Sequence, residues 1–301
     1  MTPALPSSPV PEPAEGKSPA PLRVGVLGGG RMGAGIAHAF VLAGAHVTVV
    51  EVDPDAAESA RVRVLESLTR SVDRGATALP LDTLASALAV ASDVRAFASC
   101  ELVVEAVPED RGLKRDALAR VEAVLPGDAV LASNTSSISI DDLAADLERP
   151  QRFLGLHFFN PVPASALVEV VIGDATAPEL ADSARAWVAA LGKTPVVVRD
   201  APGFASSRLG VALALEAMRM LEEGVASAED IDRAMELGYR HPVGPLRTTD
   251  IVGLDVRLGI AEELHDKLGD RFAPPALLRR MVADGHLGRK SGRGFYEWSE
   301  T

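Results

Sequence analysis

The 301-residue chain has a single cysteine, Cys100, and only 4% aromatic residues. One cysteine cannot close an intramolecular disulfide or build the cysteine-rich kind of structural zinc site. With no basic start followed by an apolar leader, this points to a reducing, cytoplasmic compartment. Basic residues are in deficit, 30 Lys plus Arg against 42 Asp plus Glu, for a net charge of -12. That balance argues against a generic nucleic-acid binder, which needs cations to neutralise phosphates. No uninterrupted apolar stretch of about 20 residues occurs, so no helical membrane span is expected. A His-Glu-x-x-His metal pattern and a Gly-x-Ser-x-Gly nucleophile elbow are also missing, so neither a metal centre nor serine-hydrolase chemistry is expected.

Proline is abundant in one place only. Seven of the 21 prolines fall in Met1–Pro21, which contains no apolar run. Such a segment cannot bury enough surface to offset ordering, and residues 1–21 are expected to be disordered. From Leu22 onward, short apolar runs at 22–27, 45–50, 101–107, 129–133, 153–158, 167–172 and 195–198 alternate with longer amphipathic stretches. This alternation predicts an α/β fold, a mostly parallel sheet covered by helices. Residues 54 to about 89 read as an insert of two helical segments broken near Gly75 and Pro80, a helical hairpin projecting from the sheet. After Asp200-Ala201-Pro202-Gly203 the strand signals stop and helical periodicity continues. The expected organisation is thus a tail (1–21), a sheet domain (22–201) and an all-helical domain (202–301).

The first apolar run leads into Gly28-Gly29-Gly30-Arg31-Met32-Gly33, and a helical pattern follows. Strand, glycine turn and helix in that order are the Rossmann fingerprint. The glycines allow a tight turn, close approach of backbone to a pyrophosphate, and close helix packing, with the phosphates at the helix N-terminus beside Arg31 and Met32. Glu51 ends the next strand, 18 residues past Gly33. A carboxylate there accepts hydrogen bonds from the adenosine ribose hydroxyls and repels a 2′-phosphate, so NAD is favoured over NADP.

The most informative segment is Gly155 to Val170, where two apolar runs flank a proline-containing turn. An antiparallel hairpin centred on Pro163 sets His157 opposite Glu169 on one face. A carboxylate on one imidazole nitrogen fixes the tautomer and stabilises the imidazolium, which equips the other nitrogen to act as a base. Beside NAD, that pair suits removal of a hydroxyl proton while hydride leaves the same carbon.

In combination these motifs resemble the L-3-hydroxyacyl-CoA dehydrogenases, in particular the 3-hydroxybutyryl-CoA dehydrogenase type, from about Arg23 to Trp298. The resemblance also rests on Leu131-Ala132-Ser133-Asn134-Thr135-Ser136-Ser137, Asp200 to Phe204, Gly224 to Asp232, and Leu287 to Tyr296. It implies His157 as catalytic base, Glu169 as its partner, and Ser136 as a hydrogen-bonding residue between substrate and nicotinamide. It further implies Glu109, Lys114, Asn160 and Lys290 as cofactor contacts, and Ser67 and Arg74 as contacts to the CoA portion. A homodimer through the helical domain is implied as well, with an acyl-CoA thioester as substrate.

The sequence departs from that pattern at Ser207, which stands where the family has an Asn that holds the substrate beside the His. A hydroxyl is shorter than an amide and offers one donor instead of two. Ala164-Ser165-Ala166 and Arg247-Thr248-Thr249 are further departures. These changes are compatible with neutral drift. They also motivate an alternative, oxidation of a small hydroxyacyl group such as glyceryl on an acyl carrier protein in polyketide extender-unit synthesis. For that reading, the six basic residues between Arg271 and Arg293 are a possible docking stripe. A third alternative is a catalytically weakened NAD-binding structural homologue.

Overall fold

The computed structural model describes residues 21–298. Apart from Pro21, the tail expected to be disordered lies outside the described residues. Eight strands, β1 (Arg23–Leu27), β2 (His46–Val50), β3 (Leu88–Ala91), β4 (Leu102–Glu105), β5 (Val130–Ser133), β6 (Phe153–Phe158), β7 (Leu167–Ile172) and β8 (Thr194–Arg199), form one sheet in the order β3-β2-β1-β4-β5-β6-β7-β8. Strands β1 to β6 pair in parallel, and β7 runs antiparallel to β6. The strand order reverses between β1 and β4, where doubly wound sheets open a crevice for a ligand. Helices shield both faces of a parallel sheet, and β4, β5 and β6 are accordingly buried along their whole length.

The helices up to β8 are α1 (Arg31–Leu42), α2 (Pro54–Asp73), α3 (Leu81–Ser86), α4 (Arg111–Glu122), α5 (Ile140–Ala144) and α6 (Pro178–Ala190). Asp53 starts α2 by accepting a hydrogen bond from Ala56 N, with Pro54 at the first helical position. Ala57, Ala60, Val64, Leu68 and Ser71 make its buried face. Ala60, Val64 and Leu68 join the same core as α1 and the strands, and each buried Val or Leu contributes about 1.5–3 kcal/mol. The insert is the expected pair of helical segments, broken between Asp73 and Leu81, and its first helix packs on the sheet core. Its second helix is only six residues long, and the chain returns as β3, parallel to β2. Leu88-Ala89-Val90-Ala91 carries one β-branched residue, too weak a signal to read as a strand. Pairing along β2 supplies what local propensity lacks.

The chain divides into two compact units: residues up to Thr135 with Leu143–Val197, and Ser136–Asp142 with Val198 onward. In the second unit α7 (Ser206–Glu222), α8 (Ala228–Tyr239), α9 (Pro245–Val252), α10 (Leu254–Leu268) and α11 (Ala276–Ala283) surround a core of their own that includes Val211, Leu215, Met218, Leu246, Leu264 and Leu278. Two buried carboxylates tie Phe295, Tyr296 and Trp298 to this core. Asp250 accepts from Phe295 N, Tyr296 N and Trp298 Nε1, and Asp232 accepts from the Tyr296 hydroxyl at 2.8 Å. Short Ser136–Asp142 is anchored similarly, with Ser139 Oγ and Asp141 N both donating to Asp200.

Candidate active site

The glycine turn connects β1 to α1. Gly28 has φ +92, a left-handed conformation natural to glycine. A side chain on Gly33 would place its Cβ 1.7 Å from Gly28 O, so helix and turn fit together only with glycine there. Gly30, the N-cap of α1, is extended and offers no capping side chain. The first-turn amides of Arg31 and Met32 are thus left to an external acceptor, which is what a pyrophosphate supplies. Met32 packs its side chain against the core, so its contribution there is backbone. Glu51, just past β2, accepts from Gly29 N at 2.7 Å and from Val52 N at 3.1 Å. Its carboxylate is fixed against the glycine turn by these bonds. These residues fit NAD.

At the far side of the switch point, a buried cluster organises the ends of β4 and β5. Glu105 is completely buried; it accepts from Lys114 Nζ at 2.7 Å, Ser133 Oγ at 2.5 Å and Val107 N at 2.7 Å. Lys114 also lies 3.3 Å from Glu109, whose other oxygen accepts from Thr135 Oγ1 at 2.6 Å. A buried ion pair persists when further hydrogen bonds complete it, as they do here. Lys114 is therefore a clamp that sets Glu109 in place. Next to it, Asn134 Oδ1 accepts from Phe158 N at 2.8 Å, joining the end of β5 to the residue after His157.

His157 and Glu169 lie directly opposite each other on β6 and β7. Both are buried, and His157 Nδ1 is 2.8 Å from Glu169 Oε2. The Phe159 ring packs against the imidazole with centroids 4.5 Å apart. With Nδ1 donating to the carboxylate, Nε2 is the basic nitrogen. The arrangement is that of an oriented general base whose protonated form is stabilised by a neighbouring anion.

A cleft of ≈ 600 Å³ opens between α1, α2 and the turn after β6, with Ser67, Arg74 and Asn160 in its wall beside Gly30 and Arg31. Arg63 and Arg70 line it as well, and Arg63 donates to Gly29 O. Residues 63, 67, 70 and 74 recur at i, i+4, i+7 and i+11, one helix face, so this basic stripe was legible in the sequence. Glu105 was not singled out either; the groups that converge on its buried carboxylate mark it.

Ser136, Ser207 and Lys290 belong to the second unit. Ser207 sits in the first turn of α7. Lys290 is held by Asp255 at 2.6 Å. The basic run read as a docking stripe is largely neutralised by its own unit: Arg279 pairs with Glu262, Arg280 with Glu222, Lys290 with Asp255 and Arg293 with Glu297. Among the described residues, no cluster of His, Cys, Asp and Glu could hold a metal ion. Among the described residues, no helix is long and apolar enough to cross a membrane.

Two family models match the chain. The 3-hydroxyacyl-CoA dehydrogenase NAD binding domain covers residues 23–201, and the 3-hydroxyacyl-CoA dehydrogenase C-terminal domain covers residues 203–298. A probable 3-hydroxybutyryl-CoA dehydrogenase of Bacillus subtilis is 41% identical over 91% of this chain and 96% of its own length. A 3-hydroxybutyryl-CoA dehydrogenase of Mycobacterium tuberculosis is 44% identical over 92% of this chain and 98% of its own. Among solved structures, (S)-3-hydroxybutyryl-CoA dehydrogenase from Ralstonia eutropha superposes with a TM-score of 0.88 at 38% identity, covering 93% of this chain and 100% of that one.

Proposed function

The chain belongs to the 3-hydroxyacyl-CoA dehydrogenase family and is an NAD-dependent oxidoreductase, and on that premise we propose the residues and the substrate through which it works. The substrate is a short-chain L-3-hydroxyacyl-CoA of the 3-hydroxybutyryl type, the compound class for which relatives at 41–44% identity are named. The observation that carries the chemistry is the buried contact of His157 Nδ1 with Glu169 Oε2 at 2.8 Å. His157 Nε2 takes the proton of the 3-hydroxyl, and Glu169 stabilises the imidazolium that results. NAD, when bound, accepts the hydride from C3. Gly28, Gly30, Gly33, Arg31 and Met32 receive its phosphates and Glu51 its adenosine ribose; Glu109, Lys114, Ser136, Asn160 and Lys290 complete its site. Ser136 and Ser207 position the acyl group, and Ser67 and Arg74 hold the CoA portion.

The two other readings are not favoured. Carrier-protein docking loses its support with the ion pairing of the basic run, and a catalytically idle homologue would have no use for the His157–Glu169 pair. A homodimer through the helical unit accords with the exposed apolar side chains of Leu237, Tyr239, Ile251 and Val252. A cytoplasmic location suits the free thiol of Cys100, which burial pushes up to about 11 and so keeps unreactive.

The test is NADH oxidation with acetoacetyl-CoA by the wild type and by His157→Gln. Turnover should fall about 10²- to 10⁴-fold in the variant with NADH affinity nearly intact. Equal turnover in both would remove His157 from the mechanism.

A further inference from the structure

Outside the dehydrogenase site, the helical unit contains a second cavity, of ≈ 290 Å³, bordered by α7, α9 and α10. Its walls are largely apolar, from Leu209, Leu213, Val243 and Pro245, with His241 and Thr248 as polar points. Arg257 of α10 also lines it, although this side chain is only 8% exposed. Among the described residues the guanidinium has no ion-pair or hydrogen-bond partner, and its Nε is fully buried and unsatisfied. Its two Nη atoms lie against α7 where Gly210 has no side chain; a Cβ there would stand 3.3 Å from Nη1 and 3.8 Å from Nη2.

A guanidinium at neutral pH cannot escape this situation by losing its proton. Burial pushes its pKa down, to about 10, and the charge remains. An unpaired buried cation is costly, and an anion that reaches it recovers that cost. The planar fork of arginine matches the two oxygens of a carboxylate. The largely apolar walls suit a short hydrocarbon stem, whereas a phosphate or sulfate would bring additional charged oxygens against them. We propose that this cavity is a binding site for a short aliphatic carboxylate, with Arg257 as its bidentate anchor. The carboxylate comes either from a free small molecule or from an acidic side chain of a second copy of this chain. The inference is independent of the dehydrogenase mechanism.

The test titrates the full chain with sodium butyrate, following melting temperature and heat of binding, with sodium chloride at equal ionic strength and butanol as controls. A free ligand gives saturation near a Kd of about 1 mM and a Tm rise of about 3 °C, with neither control active. Arg257→Met abolishes it. Leu209→Glu places a carboxylate at the mouth, on a side chain that is 71% exposed, and weakens butyrate binding about tenfold or more. If butyrate does not saturate but Arg257→Met weakens self-association about tenfold by sedimentation, the carboxylate is the second copy's and the site stands. Three results would overturn the proposal: equal responses to butyrate and chloride, butyrate binding intact in both variants, or no butyrate response together with unchanged self-association.

Discussion

Glu169→Gln isolates the charge of the His157 partner from its shape. Glutamine fills nearly the same volume on β7, and its amide oxygen can still accept from His157 Nδ1, so the strand pairing and the ring position survive. What is lost is the anion beside the imidazolium. The two groups are buried and in contact at 2.8 Å; with charge centres about 4 Å apart and an effective dielectric near 20, the Coulomb attraction is about 4 kcal/mol. Neutral hydrogen bonding to the amide retains roughly a quarter to a third of that. The remaining 2.5–3 kcal/mol, at about 1.4 kcal/mol per decade, lowers kcat about 10²-fold. If the amide instead donates to Nδ1, the proton is forced onto Nε2, and the loss deepens toward about 10⁴-fold, the effect of a wrong tautomer. Steady-state oxidation of 3-hydroxybutyryl-CoA gives kcat, and NADH fluorescence titration gives cofactor affinity. The reasoning is refuted if kcat stays within about threefold of wild type while NADH binding and melting temperature are unchanged.

Other perturbations address separate parts of the molecule. Glu51→Ala removes the acceptor fixed by Gly29 N; NAD affinity should fall about tenfold and the preference over NADP should narrow, and an unaltered ratio of kcat/KM for the two cofactors would place ribose recognition elsewhere. Arg70→Glu reverses a charge in the cleft wall, so KM for acetoacetyl-CoA should rise about tenfold at low salt with kcat unchanged, while a thioester truncated to pantetheine should show little change. His38 is buried beside Ser71, and burial, with lesser help from Lys193 and Arg70, lowers its pKa from 6.5 to about 4. The folded state therefore holds a neutral imidazole that the unfolded chain would protonate. Its contribution to stability is present above pH 6.5 and is lost as pH falls toward 4. Urea denaturation should show that loss in the wild type and a flatter profile over the same window in His38→Gln.

Much of the fold was legible because burial on both faces leaves a simple trace. β1, β4, β5 and β6 are apolar runs without alternation, and a glycine turn after the first of them has few structural meanings. β3 was not legible, since only one of its four residues is β-branched and the segment depends on β2 for pairing. The His157–Glu169 pair was legible because a hairpin centred on Pro163 fixes its register by arithmetic. Glu105, by contrast, is an ordinary acid at the end of an apolar run; only the convergence of Lys114, Ser133 and Val107 N on one carboxylate reveals it.

The net charge of -12 marks the same division. Composition alone determined that the chain as a whole repels anions, and the motifs alone determined that it must bind two of them. Local sequence also set the cradle for the first, because a glycine turn and a following helix are contiguous and their geometry is dictated by backbone sterics. Tertiary packing decided the rest. It collects Arg31, Arg63, Arg70 and Arg74 around one cleft, cancels most of the basic run near the C-terminus with acids from α7 and α10 and its own neighbours, and leaves Arg257 buried with no counter-charge among the described residues. Charge on a sequence is a sum, whereas charge in a fold acts through distance and dielectric, and only three-dimensional contact fixes those.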